Sequence, residues 1–126
     1  MSQQPAENAM SRLRSKIAEA LAKAGVVMQA EIKLQLSKSI SPSKPGTPPA
    51  VVTGALRQSV QVDLTDIRHP RVPQVAIGPD LVRVPYARIH EFGGDTGTVT
   101  LPARPYIAPA IVLARRKINR IMRGLR

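Results

Sequence analysis

Apolar side chains at Leu13, Ile17, Leu21, Ala24, Met28, Ile32 and Leu36 recur every three or four residues. That spacing puts them on one stripe of a long helix, and the surplus of four-residue steps makes the stripe slant around it. The helix is predicted to stop at Ser39-Ile40-Ser41-Pro42, because a proline disfavours helical geometry in the residue before it. Residues 1–10 are polar and read as a flexible N-terminal tail, which leaves 11–126 as one domain. Within it, residues 41–50 hold Pro42, Pro45, Pro48 and Pro49 among few apolar side chains and read as an extended arm.

Beyond the arm, Thr53 to Ser59 has the pattern of a helical turn capped by the Thr53 hydroxyl. Val60, Val62 and Leu64 then alternate with polar residues, the period of a half-buried strand. A second strand is predicted at Val75 to Ile77, ended by Gly78-Pro79-Asp80, and a third at Leu81 to Val84, paired with the second as a hairpin. Tyr86 to Phe92 reads as a helical turn with a glycine stop at Gly93-Gly94, and Thr98 to Leu101 as a fourth short strand. Ile107, Ile111, Ala114, Ile118, Ile121 and Leu125 return to the helical spacing, with Pro105 and Pro109 early enough to be tolerated. The predicted class is α+β: a long N-terminal helix, a small antiparallel sheet of about four strands, and a C-terminal amphipathic helix.

Composition changes this picture in three ways. With two Tyr, one Phe and no Trp in 126 residues, the core must be built from Leu, Ile, Val and Ala. So small a core favours burial completed by copies of the same chain, and a homo-oligomer is expected. The absence of cysteine excludes disulfides and thiolate metal sites. The polar N-terminus lacks a signal peptide's apolar stretch, and no run is long enough to cross a bilayer, so synthesis in the cytoplasm without membrane association is expected. Nineteen Lys and Arg against eight Asp and Glu give a formal charge of +11, a field that attracts nucleic acid or acidic protein surfaces.

Enzyme chemistry finds little to work with. His69, His90, Glu91 and Asp95 are the only set from which a zinc site could be drawn. The close members, His90, Glu91 and Asp95, diverge on a helix and do not converge. A lone His beside a lone Glu lacks the third group that orients a base. There is no Gly-x-Ser-x-Gly elbow, and Gly93-Gly94-Asp95-Thr96-Gly97 lacks the Lys-Ser/Thr end of a phosphate loop and reads as a hairpin tip. No catalytic residue, metal or cofactor is expected. By itself, Tyr86 to Gly94 reads as a core-anchoring turn with Tyr86 and Phe92 buried.

Three clusters in order carry a resemblance: Lys44-Pro-Gly-Thr-Pro-Pro49 with Val52-Thr-Gly-Ala-Leu-Arg-Gln-Ser59, Tyr86-Ala-Arg-Ile-His-Glu-Phe-Gly93, and Leu101-Pro-Ala-Arg-Pro-Tyr-Ile-Ala-Pro-Ala110. Over residues 44 to 112 the chain resembles the neck and tail-completion proteins of tailed bacteriophages. The resemblance implies a structural virion protein, not an enzyme, made in the bacterial host and forming a ring, typically of six copies, at the head–tail junction. Its implied partners are the head connector or head-completion protein on one side and the tail terminator or tail tube protein on the other. The residues expected at subunit or partner interfaces are Pro45, Gly46, Pro48, Pro49, Thr53, Gly54, Leu56, Tyr86, Glu91, Phe92, Arg104 and Tyr106. The arm either links the first helix to the sheet or lies across a neighbouring subunit by strand addition.

The C-terminal helix adds a signal of its own. Arg116, Arg120 and Arg123 share one face, with Arg115, Lys117 and Arg126 nearby. They form either a solvated face that suits the negative end of the helix dipole or a contact for phage DNA or acidic protein surfaces. The alternative to a junction protein is a small basic nucleic-acid-binding protein that uses this helix.

Overall fold

A computed structural model describes residues 4–37, 55–84, 87–95, 100–101, 103 and 105–125. Its elements in chain order are α1 (Gln4–Gln35), α2 (Ala55–Ser59), β1 (Val60–Asp63), β2 (Ala76–Pro79), α3 (Ala87–Phe92), β3 (Gly94–Asp95), β4 (Thr100–Leu101) and α4 (Ile107–Arg123). The two long helices and the mixed class are as the periodicity predicts. The arm at 41–50 and the turn's cap at Thr53 lie outside the described residues.

The 32-residue α1 begins inside the segment expected to be a loose tail. Pro5 falls in the first turn, where its missing N–H costs no helical bond, and Ala6, Glu7 and Ala9 favour the helix. Residues 6–14 are exposed throughout, so this end of α1 is helical without being packed. The stripe is buried only from the middle of the helix onward. Leu13 is exposed and Ile17 and Leu21 are half-buried, whereas Ala24, Met28, Ile32 and Leu36 are in the core.

Among the described residues the strands do not make one sheet of about four. β1 and β2 make a two-stranded antiparallel sheet in the register Val60↔Pro79, Gln61↔Gly78, Val62↔Ile77 and Asp63↔Ala76. β3 and β4 pair separately over two residues each. The predicted third strand, Leu81 to Val84, turns instead. The Asp80 carboxylate accepts the Val82 N–H at 3.0 Å, and the Asp80 carbonyl accepts the Val84 N–H at 2.9 Å. A short polar side chain that binds the backbone two residues on diverts the chain from a ladder. β2 therefore pairs with β1, across a connection in which His69 Nδ1 accepts the Arg71 and Val72 N–H groups at 3.1 and 3.0 Å.

The core lies where α1 meets α4 and the sheet. Met28, Ile32 and Leu36 of α1 pack with Val60 of β1 and with Tyr106, Ala110 and Ala114 at the start of α4. α4 runs back along α1, so that its last turns lie beside Lys16, Ala20 and Lys23. Gln29 fixes the sheet by donating from Nε2 to the Val60 carbonyl at 3.0 Å.

Gly25 sets how closely the sheet approaches α1. A Cβ there would lie 2.9 Å from a Val62 methyl and 3.2 Å from one of Val75. In an ordinary helix Gly→Ala gains about 1 kcal/mol, but overpacking costs about 1–3 kcal/mol. Gly25→Ala is therefore expected to lower the unfolding free energy in urea by about 1 kcal/mol, and a Val62→Ala background to remove most of that cost. An unchanged penalty in the double variant would place the obstruction elsewhere.

Candidate interaction surface

Two arrangements occupy the region that the sequence motifs single out: a buried joint between α3 and α4, and the cationic outer face of α4.

The joint exists because α4 begins without a capping side chain of its own. Tyr106 occupies the N-cap position and makes no side-chain cap. The exposed backbone donors of the first turn need acceptors from elsewhere. Glu91, on α3, supplies them. Its Oε2 accepts the Tyr106 N–H at 2.7 Å and the Ile107 N–H at 3.0 Å, and its Oε1 accepts the Ala108 N–H at 3.1 Å. A carboxylate against the positive end of a helix also gains from the dipole. Tyr106 closes the joint in the other direction by donating its hydroxyl to the Ala87 carbonyl at 3.0 Å. Both side chains are buried, Tyr106 to 1% exposure. α3 itself ends at Gly93, whose φ of 73° is the left-handed stop expected there.

Burial pushes the Tyr106 phenol well above its ordinary value of 10.0, and the nearby Glu91 charge adds to the effect. The folded state thus holds the neutral phenol more tightly than the unfolded chain does. Its contribution to stability is complete below pH 10.0 and is lost as pH rises above it. Tyr106→Phe should flatten that alkaline decline in urea melts taken across the range; an equal slope in both proteins would count against the coupling.

The structure separates the predicted interface residues into groups. Glu91 and Tyr106 are spent within the chain, as cap and core, and neither offers a surface to a partner. Leu56 packs against the core. Phe92 goes the opposite way from the core-anchoring reading: it is 74% exposed, because α3 is turned so that Ala87 and Glu91 face inward. Pro45, Gly46, Pro48, Pro49, Thr53, Gly54, Tyr86, Arg104 and Arg126 lie outside the described residues.

Arg115, Arg116, Lys117, Arg120 and Arg123 are all exposed on α4. The buried side of the helix is Ala110 and Ala114, with Ile107 and Ile118 partly buried beside them. Ile111, expected on the buried stripe, is 44% exposed, and Val112 and Leu113 are more so. Small alanines let α4 lie close to α1, which narrows the contact and leaves the branched residues outside. Among the described residues no three of His, Cys, Asp and Glu lie together as a metal site. No described helix is long and apolar enough to cross a membrane.

Comparison with protein-family models, curated proteins and solved structures finds no match to this chain. The functional reading therefore rests on the residues themselves.

Glu91 is the residue whose role the sequence reading misses, since a cap 15 residues from its helix leaves no local pattern. The available signal is indirect. Pro105-Tyr106 opens a strongly amphipathic helix with no Ser, Thr, Asp or Asn at the cap, so an acceptor must come from another element.

Proposed function

We propose that this chain is a structural virion protein of a tailed phage that forms a ring, of six copies, at the head–tail junction and links the head connector to the tail. The observation that carries the reading is the Glu91–Tyr106 joint. Through Glu91, Tyr106 and Ala87 it joins residues of two of the three resembling clusters, Tyr86 to Gly93 and Leu101 to Ala110, which supports reading them together. The uncovered apolar side chains Phe92, Val112 and Leu113 supply surface that neighbouring copies can bury. Light scattering coupled to size exclusion, followed by electron microscopy of the peak, tests this. The expected result is a closed six-membered ring; a monomer at every concentration, with the connector present as well as absent, would rule the ring out.

A second reading, nucleic-acid binding by α4, is favoured by one observation. α4 carries no acidic residue, and its five described cations are all exposed. Each phosphate contact steepens the salt dependence of binding by about 0.9 in log K against log salt. Replacing Arg116, Arg120 and Arg123 by Ala should flatten the slope for duplex DNA accordingly, and an unchanged slope removes α4 as the DNA site.

A further inference from the structure

We infer that the cleft between α1 and the end of α4 is a docking site for an acidic amphipathic helix of a partner protein. The inference concerns two helices of one protomer and does not depend on the ring.

The cleft has two adjoining parts. One is a shallow, largely open apolar hollow of about 500 Å³ lined by Ala22, Lys23, Val26, Val27 and Ile121. The other is a polar hollow of about 440 Å³ where Lys16, Lys23 and Arg120 stand against a single carboxylate, Glu19. Lys23 and Ile121 border both, which makes the two parts one continuous feature. Val26 is 58% exposed, an apolar side chain held open to water in the apolar hollow. A groove of this kind takes the apolar stripe of a helix, and its charged rim selects the sign of the flanking residues. Three cations to one carboxylate select for acid.

The same observations weigh against the two other occupants. A second copy of this chain carries a formal charge of +11 and brings like charge to a cationic rim. A nucleic-acid backbone gains nothing from the apolar side chains of the hollow, where Lys23 is the one charge. Moreover, Arg116 follows buried Ala114 by two residues, and Arg123 follows Ile121 by two, which turns each about 200° around the helix. Arg116 and Arg123 therefore point away from Ala114 and Ile121, whereas Arg120 between them stands at the cleft's edge, so phosphate contacts centre on the outer face and the apolar hollow is left for protein.

The test uses the full chain with three probes: a helical peptide of about 18 residues with leucines at i, i+4 spacing and glutamates flanking them, the same peptide with lysines for the glutamates, and a DNA duplex of about 20 base pairs. Anisotropy gives affinities, and amide shifts give location. The acidic peptide is expected to bind about tenfold or more tightly than the basic one and to shift Val26, Val27 and Ile121. Val26→Glu should abolish the binding, and Lys23→Glu with Arg120→Glu should invert the preference for acid. Thermal melts establish that each variant folds; all three substitutions fall on exposed side chains. The inference is overturned by any of three results: no cleft shifts with the acidic peptide, stronger cleft shifts with the duplex than with the peptide, or Val26→Glu dissolving a self-assembly that otherwise buries the cleft. A ring that persists in Val26→Glu while peptide binding is lost supports the site and leaves the ring reading intact.

Discussion

Glu91→Ala is expected to lower the unfolding free energy by about 3 kcal/mol, the loss of three bonds from N–H donors to a charged acceptor in a buried joint. The substitution removes the only cap of α4 described and leaves Tyr106, Ile107 and Ala108 N–H groups near the core without their acceptor. For a domain of this size that corresponds to a fall in Tm of about 10–15 °C. Glu91→Gln separates the cap from simple filling of space. It keeps the volume and one acceptor oxygen but turns an amide donor toward backbone donors, so about half the loss should remain. Tyr106→Phe costs about 1 kcal/mol by removing the bond to the Ala87 carbonyl. Because the two side chains share one joint, the double variant should cost less than the sum. Full additivity in urea melts would mean that the two ends of the joint act separately.

That joint also shows where sequence reasoning reaches its limit here. The helices were legible because burial imposes a period on side chains that lie on one element: Met28, Ile32 and Leu36 announce α1, and Val60 with Val62 announces β1. The period does not say how far along a helix a partner extends. Leu13 and Ile111 fit their stripes as well as Ile32 and Ile118 do, yet both are exposed, because α1 outruns α4 and the alanines of α4 set a narrow contact. Leu81 to Val84 has the apolar content of a strand, and only the side chain of Asp80, bonded back to the chain, decides against it. The cationic face of α4 could be read directly, since it needs only a helix and its spacing. The cleft could not, because it brings Lys16 and Lys23 to Arg120 across about 100 residues, a distance no local pattern spans.

Ile32→Ala should cost about 3–4 kcal/mol, within the range for truncation of a fully buried isoleucine. Ile32 and Tyr106 are the largest side chains in the described core to be fully buried, and Ile32 shares its cluster with Met28, Leu36, Val60, Tyr106, Ala110 and Ala114. Truncation removes the contacts the cluster makes with the isoleucine and leaves a cavity that Met28 and Leu36 fill only in part. Total stability for a single domain is about 5–15 kcal/mol, so this one change removes a large share of it. Ile32→Val, losing one methylene, should cost about 1 kcal/mol. Ile111→Ala gives the contrast. The same truncation on the exposed side of α4 is expected to change stability by less than about 0.5 kcal/mol, although the spacing of α4 ranks Ile111 with the core. Urea midpoints for the three variants decide the matter, and equal losses at positions 32 and 111 would mean that a neighbouring copy buries Ile111 in solution.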